Sequence, residues 1–402
     1  MTAIADFDLA AIGPDFIADP YPTLHALREA RPVHRMADGS VLLTRHADCL
    51  QVYRSRRMLS DKRAAFGARF GDGPLFRHHT TSLVFNDPPY HTTIRRLMAA
   101  AFTPRRLREM ERLVDGIVDR LLDGLAERGR ADVVADFATG LPTEVIAFML
   151  GVPSEHRAQL RSYSLAILGA LDPVVPPERL ERGNRAVDEF GAVLREVVAR
   201  RRADPDGAGP GEVLDALVFG EEDGRRLTDD ELVENAIFLL NAGHETTTSL
   251  VGNAVGLLLD HPEVHRRLLD DPALVEPFLE ECLRLESPLQ IGNRLAGEAV
   301  TLAGGERLER GTYIHTSIAA ANRDGAAFPD PDRIRLDRGA PKHLAFITGI
   351  HVCLGATLAR IEGRIAVGRL VRRFPGLRAD GPRARVPLAR FRGWATLPVA
   401  VG

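Results

Sequence analysis

The chain has 402 residues, 45% of them apolar and 27% charged, with a formal net charge of -3 at pH 7. This is the composition of a soluble globular protein with an ample core. The near-neutral balance, without a long basic run, excludes nucleic acid as a partner. Cys49, Cys282 and Cys353 are too few and too scattered for a disulfide framework, so a reducing compartment is expected.

The first ten residues carry Asp6 and Asp8 and have neither a basic leader nor an apolar stretch, so no signal peptide or anchor is expected. A cytoplasmic protein without a membrane partner is the reading. Residues 21–31 predict a helix, 40–44 a strand after the Asp38-Gly39 turn, and 47–54 a second helix. Between 61 and 84, glycines, arginines and His78-His79 break the periodicity, which predicts an irregular loop, functional or mobile. Helices are then expected over 90–102 (stopped by Thr103-Pro104), 107–128, 141–150, 155–168 and 177–202.

Gly and Pro dominate 204–211, an exposed connection rather than a domain boundary, because helical pattern resumes with unchanged composition. The longest helix begins at the capping box Thr228-Asp229-Asp230-Glu231 and runs to Asp260, where His261-Pro262 stops it, about 48 Å in all. Its apolar stretch 236–259 holds His244 and Glu245 at the centre and so reads as buried rather than membrane-spanning. A helix over 274–285 follows, and further strands are expected only at 299–302, 313–317 and near 397–399. The whole predicts a mainly α fold with a minor β-sheet, in one domain over 1–402.

Three stretches carry candidate chemistry. In Phe346-Ile347-Thr348-Gly349-Ile350-His351-Val352-Cys353-Leu354-Gly355, a glycine-broken loop gives way to a helix on which Leu354, Leu358, Ile361 and Ile365 recur. Cys353 at that join meets the positive end of the helix dipole and unpaired backbone N–H groups, which favour thiolate. Gly349 and Gly355 let the backbone bend close to something flat and bulky. A lone cysteine at a helix start is nevertheless more often a small buried residue. In the long helix, Ala242-Gly243-His244-Glu245-Thr246-Thr247 is a locally weak helix former. It reads either as a kink, with Thr bonding back one turn, or as an acid and an alcohol that relay protons. Finally, Glu281 and Arg284 make a Glu-x-x-Arg pair that any helix produces by chance.

The pattern Phe-x-x-Gly-x-His-x-Cys-Leu-Gly around Cys353 resembles the haem-binding loop of the cytochrome P450 family. Further blocks stand in that family's order: Asp87-Pro88-Pro89 with His91 and Arg95, then Ala242 to Thr247, Glu281 to Arg284, Ala320-Ala321-Asn322-Arg323-Asp324 and finally the cysteine loop. The resemblance implies the cytochrome P450 fold, with haem b between the long central helix and the cysteine helix. Cys353 would ligate the iron, with Phe346, Gly349, Gly355, Ala242 and Gly243 against the ring. His91, Arg95, Arg294 and His351 would meet its propionates. Thr246 and Glu245 would supply protons for dioxygen activation, and Glu281, Arg284 and Arg338 would form a structural triad.

The activity implied is a monooxygenase that inserts oxygen from O2 into a C–H bond of a small, largely apolar substrate. Electrons would come from a separate ferredoxin and ferredoxin reductase, and the protein would act as a monomer. Arg96, Arg105, Arg106, Arg360 and Arg364 are candidates for the docking patch, although solvated arginines are commoner. Positions implied to face the substrate are Phe76, Leu83, Val84, Phe238, Asn241, Leu289, Gln290, Ile291, Trp394 and Ala395. Trp394 reads equally well as core, and Asn241 with His78 or His79 hints at one polar group on the substrate. A peroxide-driven haem-thiolate oxygenase, a nitric oxide reductase and a non-catalytic haem or ligand binder are the alternatives. The Glu245-Thr246 pair argues for dioxygen. One departure stands out: the family usually has Gly after the Phe, and here it is Ile347. A β-branched residue disfavours φ > 0, so the loop is expected to differ there or to use negative φ.

Overall fold

The computed structural model describes residues 4–205 and 212–401. Helices dominate it and are arranged about one central helix, Asp229–Asp260. That helix starts where its sequence requires. The Thr228 hydroxyl accepts from Glu231 N–H at 3.2 Å, and Glu231 Oε2 accepts from Thr228 N–H at 3.0 Å. Such a cap contributes about 1 kcal/mol. Most of its side chains between Leu232 and Leu258 are buried. Helices Gly140–Leu150, Ser154–Gly169, Pro177–Ala203, Val275–Leu285 and Ala356–Arg373 pack against it. Close approach depends on its glycines: a Cβ at Gly243 would stand 2.9 Å from Ile146 Cδ1. No single described helix is long and apolar enough to cross a membrane.

A five-stranded sheet flanks the helices. Its strands are β1 (Val33–Arg35), β2 (Val41–Leu43), β3 (Met58–Leu59), β4 (Ile291–Ala296) and β5 (Tyr313–Ser317), in the order β1-β2-β5-β4-β3. β2 and β5 run parallel, and the other pairs are antiparallel. β4 is absent from the expected strands because Gly292 and Asn293 are poor strand formers. Gly292 is nonetheless required, since a Cβ there would lie 2.1 Å from the Tyr53 hydroxyl.

The main correction concerns residues 61–84. These hold two helices, Arg63–Phe70 and Pro74–Thr81, rather than an irregular loop. Two of the three glycines that broke the pattern are helix punctuation: Gly71 ends the first helix at φ +64°, and Gly73 caps the second ahead of Pro74, while Gly67 lies within the first. His261-Pro262 does stop the central helix, and Pro262 immediately opens another, Pro262–Asp270, which was not expected. Of the connection read at 204–211, Asp204 and Pro205 are exposed and residues 206–211 lie outside the described residues.

Candidate functional site

The cysteine loop enters helix Ala356–Arg373. Cys353 N–H donates to Phe346 O at 3.0 Å, which closes the loop on itself. Gly349 has φ +76°, and a Cβ there would stand 2.2 Å from the Tyr53 carbonyl oxygen, so only glycine fits. Gly355 is different: its φ is -83° and a Cβ would project into open space. Ile347 overturns the expectation drawn from its β-branch. It adopts φ +49°, so the loop keeps the left-handed turn and the side chain bears the strain.

Cys353 is a free thiol reachable by solvent yet densely surrounded by protein, as at the bottom of a cleft. Burial pushes its pKa up, against the pull of Gly355 N–H, Arg95 and Arg360, so without a bound cation the expected thiolate is not favoured. Beside it, the apolar side chains of Ile350 and Val352 are exposed. The Phe346 ring lies 4.5 Å from the Arg360 guanidinium carbon.

Four basic groups converge next to this loop. Arg95 Nη2 donates to Val352 O at 2.8 Å, which ties helix Tyr90–Ala99 to the residue before the thiol. The His91 and His351 rings lie 4.2 Å apart, both buried. His351 Nε2 shares a 2.9 Å hydrogen bond with the Ser60 hydroxyl. Neither ring nitrogen of His91 has a partner among the described residues, and neither has Arg294 Nη2. Arg294 is buried on β4, bonded to its neighbour's carbonyl oxygen and stacked 5.2 Å from the Tyr53 ring. Burial, with Arg95 adding to it, pushes the His91 pKa down to about 4.

Buried polar groups without partners are rare. This set fits iron protoporphyrin, which brings a soft metal for sulfur, an apolar ring for Ile350 and Val352, and two carboxylates for the basic groups.

On the central helix, Ala242 is exposed and Gly243 and Thr246 are half-buried, in an otherwise buried run. The helix is continuous there, and Thr246 Oγ1 donates to Ala242 O at 2.6 Å. Glu245 is buried, with Arg161 Nε 3.4 Å from its carboxylate. Burial raises its pKa and Arg161 opposes that. His244 shares a 2.8 Å hydrogen bond with Thr143 Oγ1. Arg161 and Thr143 lay outside the sequence reading because nothing local links them to residues about a hundred positions away.

Glu281, Arg284 and Arg338 come together. Arg284 grips both Glu281 oxygens at 2.7 and 2.8 Å, and Arg338 Nε reaches Oε1 at 3.1 Å. Arg284 also donates to the carbonyl oxygens of Asn322, Pro331 and Arg333. Each arginine suggested for docking faces an acid: Arg96 Glu222, Arg105 and Arg106 Glu109, Arg360 Glu280, and Arg364 Glu111.

The positions implied for the substrate are spread more widely. Leu83, Asn241, Gln290 and Ile291 are buried, while Phe76, Val84, Phe238, Leu289 and Ala395 are half-buried. Asn241 Oδ1 has no partner among the described residues. Trp394 packs on Gly252 and Gly256, with the Arg385 guanidinium carbon 3.5 Å from its ring. It therefore lies nine to thirteen residues past Gly243, about 14–20 Å along the helix, in the packing role.

The family model described as Cytochrome P450 matches residues 52–380. The vitamin D(3) 25-hydroxylase of Pseudonocardia autotrophica is 38% identical over 402 residues, covering 96% of this chain and 95% of its own. The cytochrome P450 monooxygenase PikC of Streptomyces venezuelae is 38% identical, covering 98% and 93%. Among solved structures, P450BioI in complex with hexadec-9Z-enoic acid ligated acyl carrier protein superposes with a TM-score of 0.90 at 30% identity. It covers 96% of this chain and 100% of its own.

Proposed function

Since the chain belongs to the cytochrome P450 family, whose members bind haem b through a cysteine thiolate, we propose that Cys353 is the iron ligand of this monooxygenase. The reaction is insertion of one oxygen atom from O2 into a C–H bond of a small, largely apolar organic molecule. A separate ferredoxin and ferredoxin reductase supply the electrons, and residues 1–402 act as one domain and as a monomer. The observation that carries the assignment is the pairing of an accessible thiol at a helix start with buried, unpartnered donors on His91 and Arg294. A name ending in 25-hydroxylase among the relatives supports hydroxylation.

Cys353 would hold the haem, which when bound would supply the oxidising chemistry, its reactivity raised by electron density from the sulfur. The chain's own residues do the rest. His91, Arg95, Arg294 and His351 hold the two carboxylates and so fix the orientation of the ring. Arg95 also reaches the Val352 carbonyl oxygen, so one side chain registers the propionate edge against the thiol loop. Ala242 leaves the exposed side of the central helix without bulk, which gives a small molecule room to approach, while Gly243 admits Ile146 of the neighbouring helix. Thr246 holds a hydroxyl there, bonded back to Ala242 O at 2.6 Å and free to accept a proton from the next donor. Glu245 has a raised pKa and Arg161 beside it, which suits a carboxyl that takes up and releases protons. Ion-paired arginines around Arg96, Arg105, Arg106, Arg360 and Arg364 form a face of mixed charge for an acidic electron donor.

Replacing Thr246 with Ala tests the proton role. Haem content and substrate binding stay at the wild-type level, while product formed per reductant consumed falls several-fold and hydrogen peroxide appears. Unchanged coupling removes Thr246 from the mechanism.

A further inference from the structure

A second group of buried basic side chains lies between two walls, helices Arg63–Phe70 and Pro74–Thr81 on one side and β4 on the other. Burial, then His78, holds the His79 pKa well below its ordinary value, so its ring is neutral and the positive charge is that of Lys62, Arg69 and Arg390. Lys62, at the entry to helix Arg63–Phe70, is only 6% exposed, with Nζ 5.7 Å from the Phe66 ring and 5.2 Å from the Phe85 ring. Among the described residues its one hydrogen bond is to the Ser60 carbonyl oxygen at 2.9 Å, although an ammonium carries three donors. His79 shares the same box. Its ring centroid is 5.4 Å from Phe66 and 5.1 Å from both Phe70 and Phe85. It is 1% exposed, and neither ring nitrogen has a partner among the described residues.

Arg69 stacks 5.5 Å from the Phe70 ring and donates to the Asp172 carbonyl oxygen. Arg390, from the wall opposite, bonds Leu171 O at 2.7 Å and Ile291 O at 2.9 Å, and reaches the Asn293 amide oxygen. All of these acceptors are neutral. Among the described residues none of Lys62, Arg69 and Arg390 forms an ion pair. The buried carboxylates of this region are already engaged: Asp172 by the Arg390 and Ala389 N–H groups and by Arg179 at 3.8 Å, and Glu234 by Arg77 at 2.8 Å and by His78 at 3.1 Å, whose ring lies 5.1 Å from that of His79. Asp61 and Asp87 belong to the adjoining turn. Asp61 pairs with Arg63, and Asp87 accepts from Ser60 and Asp61 N–H.

A protein interior holds uncompensated positive charge only at a cost, which an anion from outside removes. The geometry points to a carboxylate-bearing organic substrate, its acid group seated at Lys62 and His79 and its apolar body against Phe66, Phe70 and Phe85. Carboxylate rather than phosphate is the match, because an aromatic, water-poor box penalises a second negative charge more than a first. Burial, with Arg294 and Arg390 next, brings the Lys62 pKa down to about 7, and an adjacent anion restores its proton. The site deepens the oxygenase reading and rests on it for the identity of the ligand as substrate. The four groups assigned to the cofactor's two carboxylates leave Lys62 and His79 unclaimed.

The test uses haem-loaded protein in equilibrium dialysis against radiolabelled decanoate, methyl decanoate and decyl phosphate, with haem occupancy read by absorbance. Wild type is compared with Lys62→Met and His79→Phe. Decanoate is expected to bind about tenfold tighter than its methyl ester. Lys62→Met abolishes that preference at unchanged haem content and unchanged ester affinity, and His79→Phe reduces it several-fold. Equal affinity for acid and ester, no binding of the acid, or a preference that survives both substitutions overturns the proposal. So does tighter binding of decyl phosphate, or haem loss from Lys62→Met, which would assign that lysine to the cofactor. Dialysis requires no turnover, so failure of the oxygenase reading and failure of the carboxylate site give different results.

Discussion

Two clusters of largely buried polar side chains, one around Glu281 and one around His91, are finished to different degrees. Around Glu281 the cluster is closed: the carboxylate has Arg284 and Arg338, and Arg284 spends its remaining donors on three carbonyl oxygens. Around His91 it is open: both His91 nitrogens and one Arg294 nitrogen have no partner among the described residues. A closed network needs nothing from outside and serves the fold. An open one leaves room for a group from outside, and the proposed occupant is the cofactor's pair of carboxylates. Burial alone does not separate the two clusters, since all of these residues are largely buried. Satisfaction of their hydrogen bonds does.

The sharpest break in this contrast is Glu281→Ala, which strands two buried or half-buried guanidinium groups. It should cost about 3–5 kcal/mol and remove most folded protein, haem-loaded or not. Folded, haem-binding Glu281→Ala protein at wild-type yield would erase the distinction.

Arg294→Leu tests the open cluster. Haem-free protein should melt at or above the wild-type temperature, because an unpaired buried charge has gone. Haem affinity should fall roughly 30-fold, about 2 kcal/mol. A fall in haem-free stability with unchanged haem affinity would place Arg294 in the structural class.

A smaller effect separates the clusters by pH. His91 in the folded, haem-free protein has its pKa pushed from 6.5 to about 4 by burial first and then by Arg95, with Asp87 opposing. Between those values the unfolded chain binds a proton that the folded one refuses, so stability falls as pH drops from 6.5 to about 4. His91→Phe should flatten that part of the melting-temperature profile. Parallel profiles for the two proteins would mean that His91 already has its partner within the chain. Glu281 has its pKa lowered as well, but from the opposite cause: desolvation would raise it, and hydrogen bonds and charge from Arg284 outweigh that and favour the charged form. Its contribution is present above the ordinary carboxylate range and disappears only in stronger acid.

Local signals carried much of this arrangement into the sequence. The central helix was readable from the Thr228 capping box and the His261-Pro262 stop, and both ends stand where those residues are. Residues 61–84 were unreadable for a physical reason: Gly71 and Gly73 sit at helix boundaries and Gly67 inside a helix, and pattern alone cannot tell these from a break. Ile347 shows the reverse failure, where a sound steric rule was overruled because the loop must still return Cys353 N–H to Phe346 O. The site's long-range partners, such as Arg161 for Glu245 or Ser60 for His351, leave no trace in local spacing. Only the folded chain brings them together.

The central claim is that the Cys353 sulfur, as an anion, holds haem iron. The most direct measurement is the absorption spectrum of the fully haem-loaded, ferrous, carbon monoxide-bound protein. The account predicts the long-wavelength Soret band of a thiolate ligand in the wild type and its loss in Cys353→His. A wild-type band at the position of a histidine-ligated globin, or a thiolate band that survives Cys353→His, would contradict it.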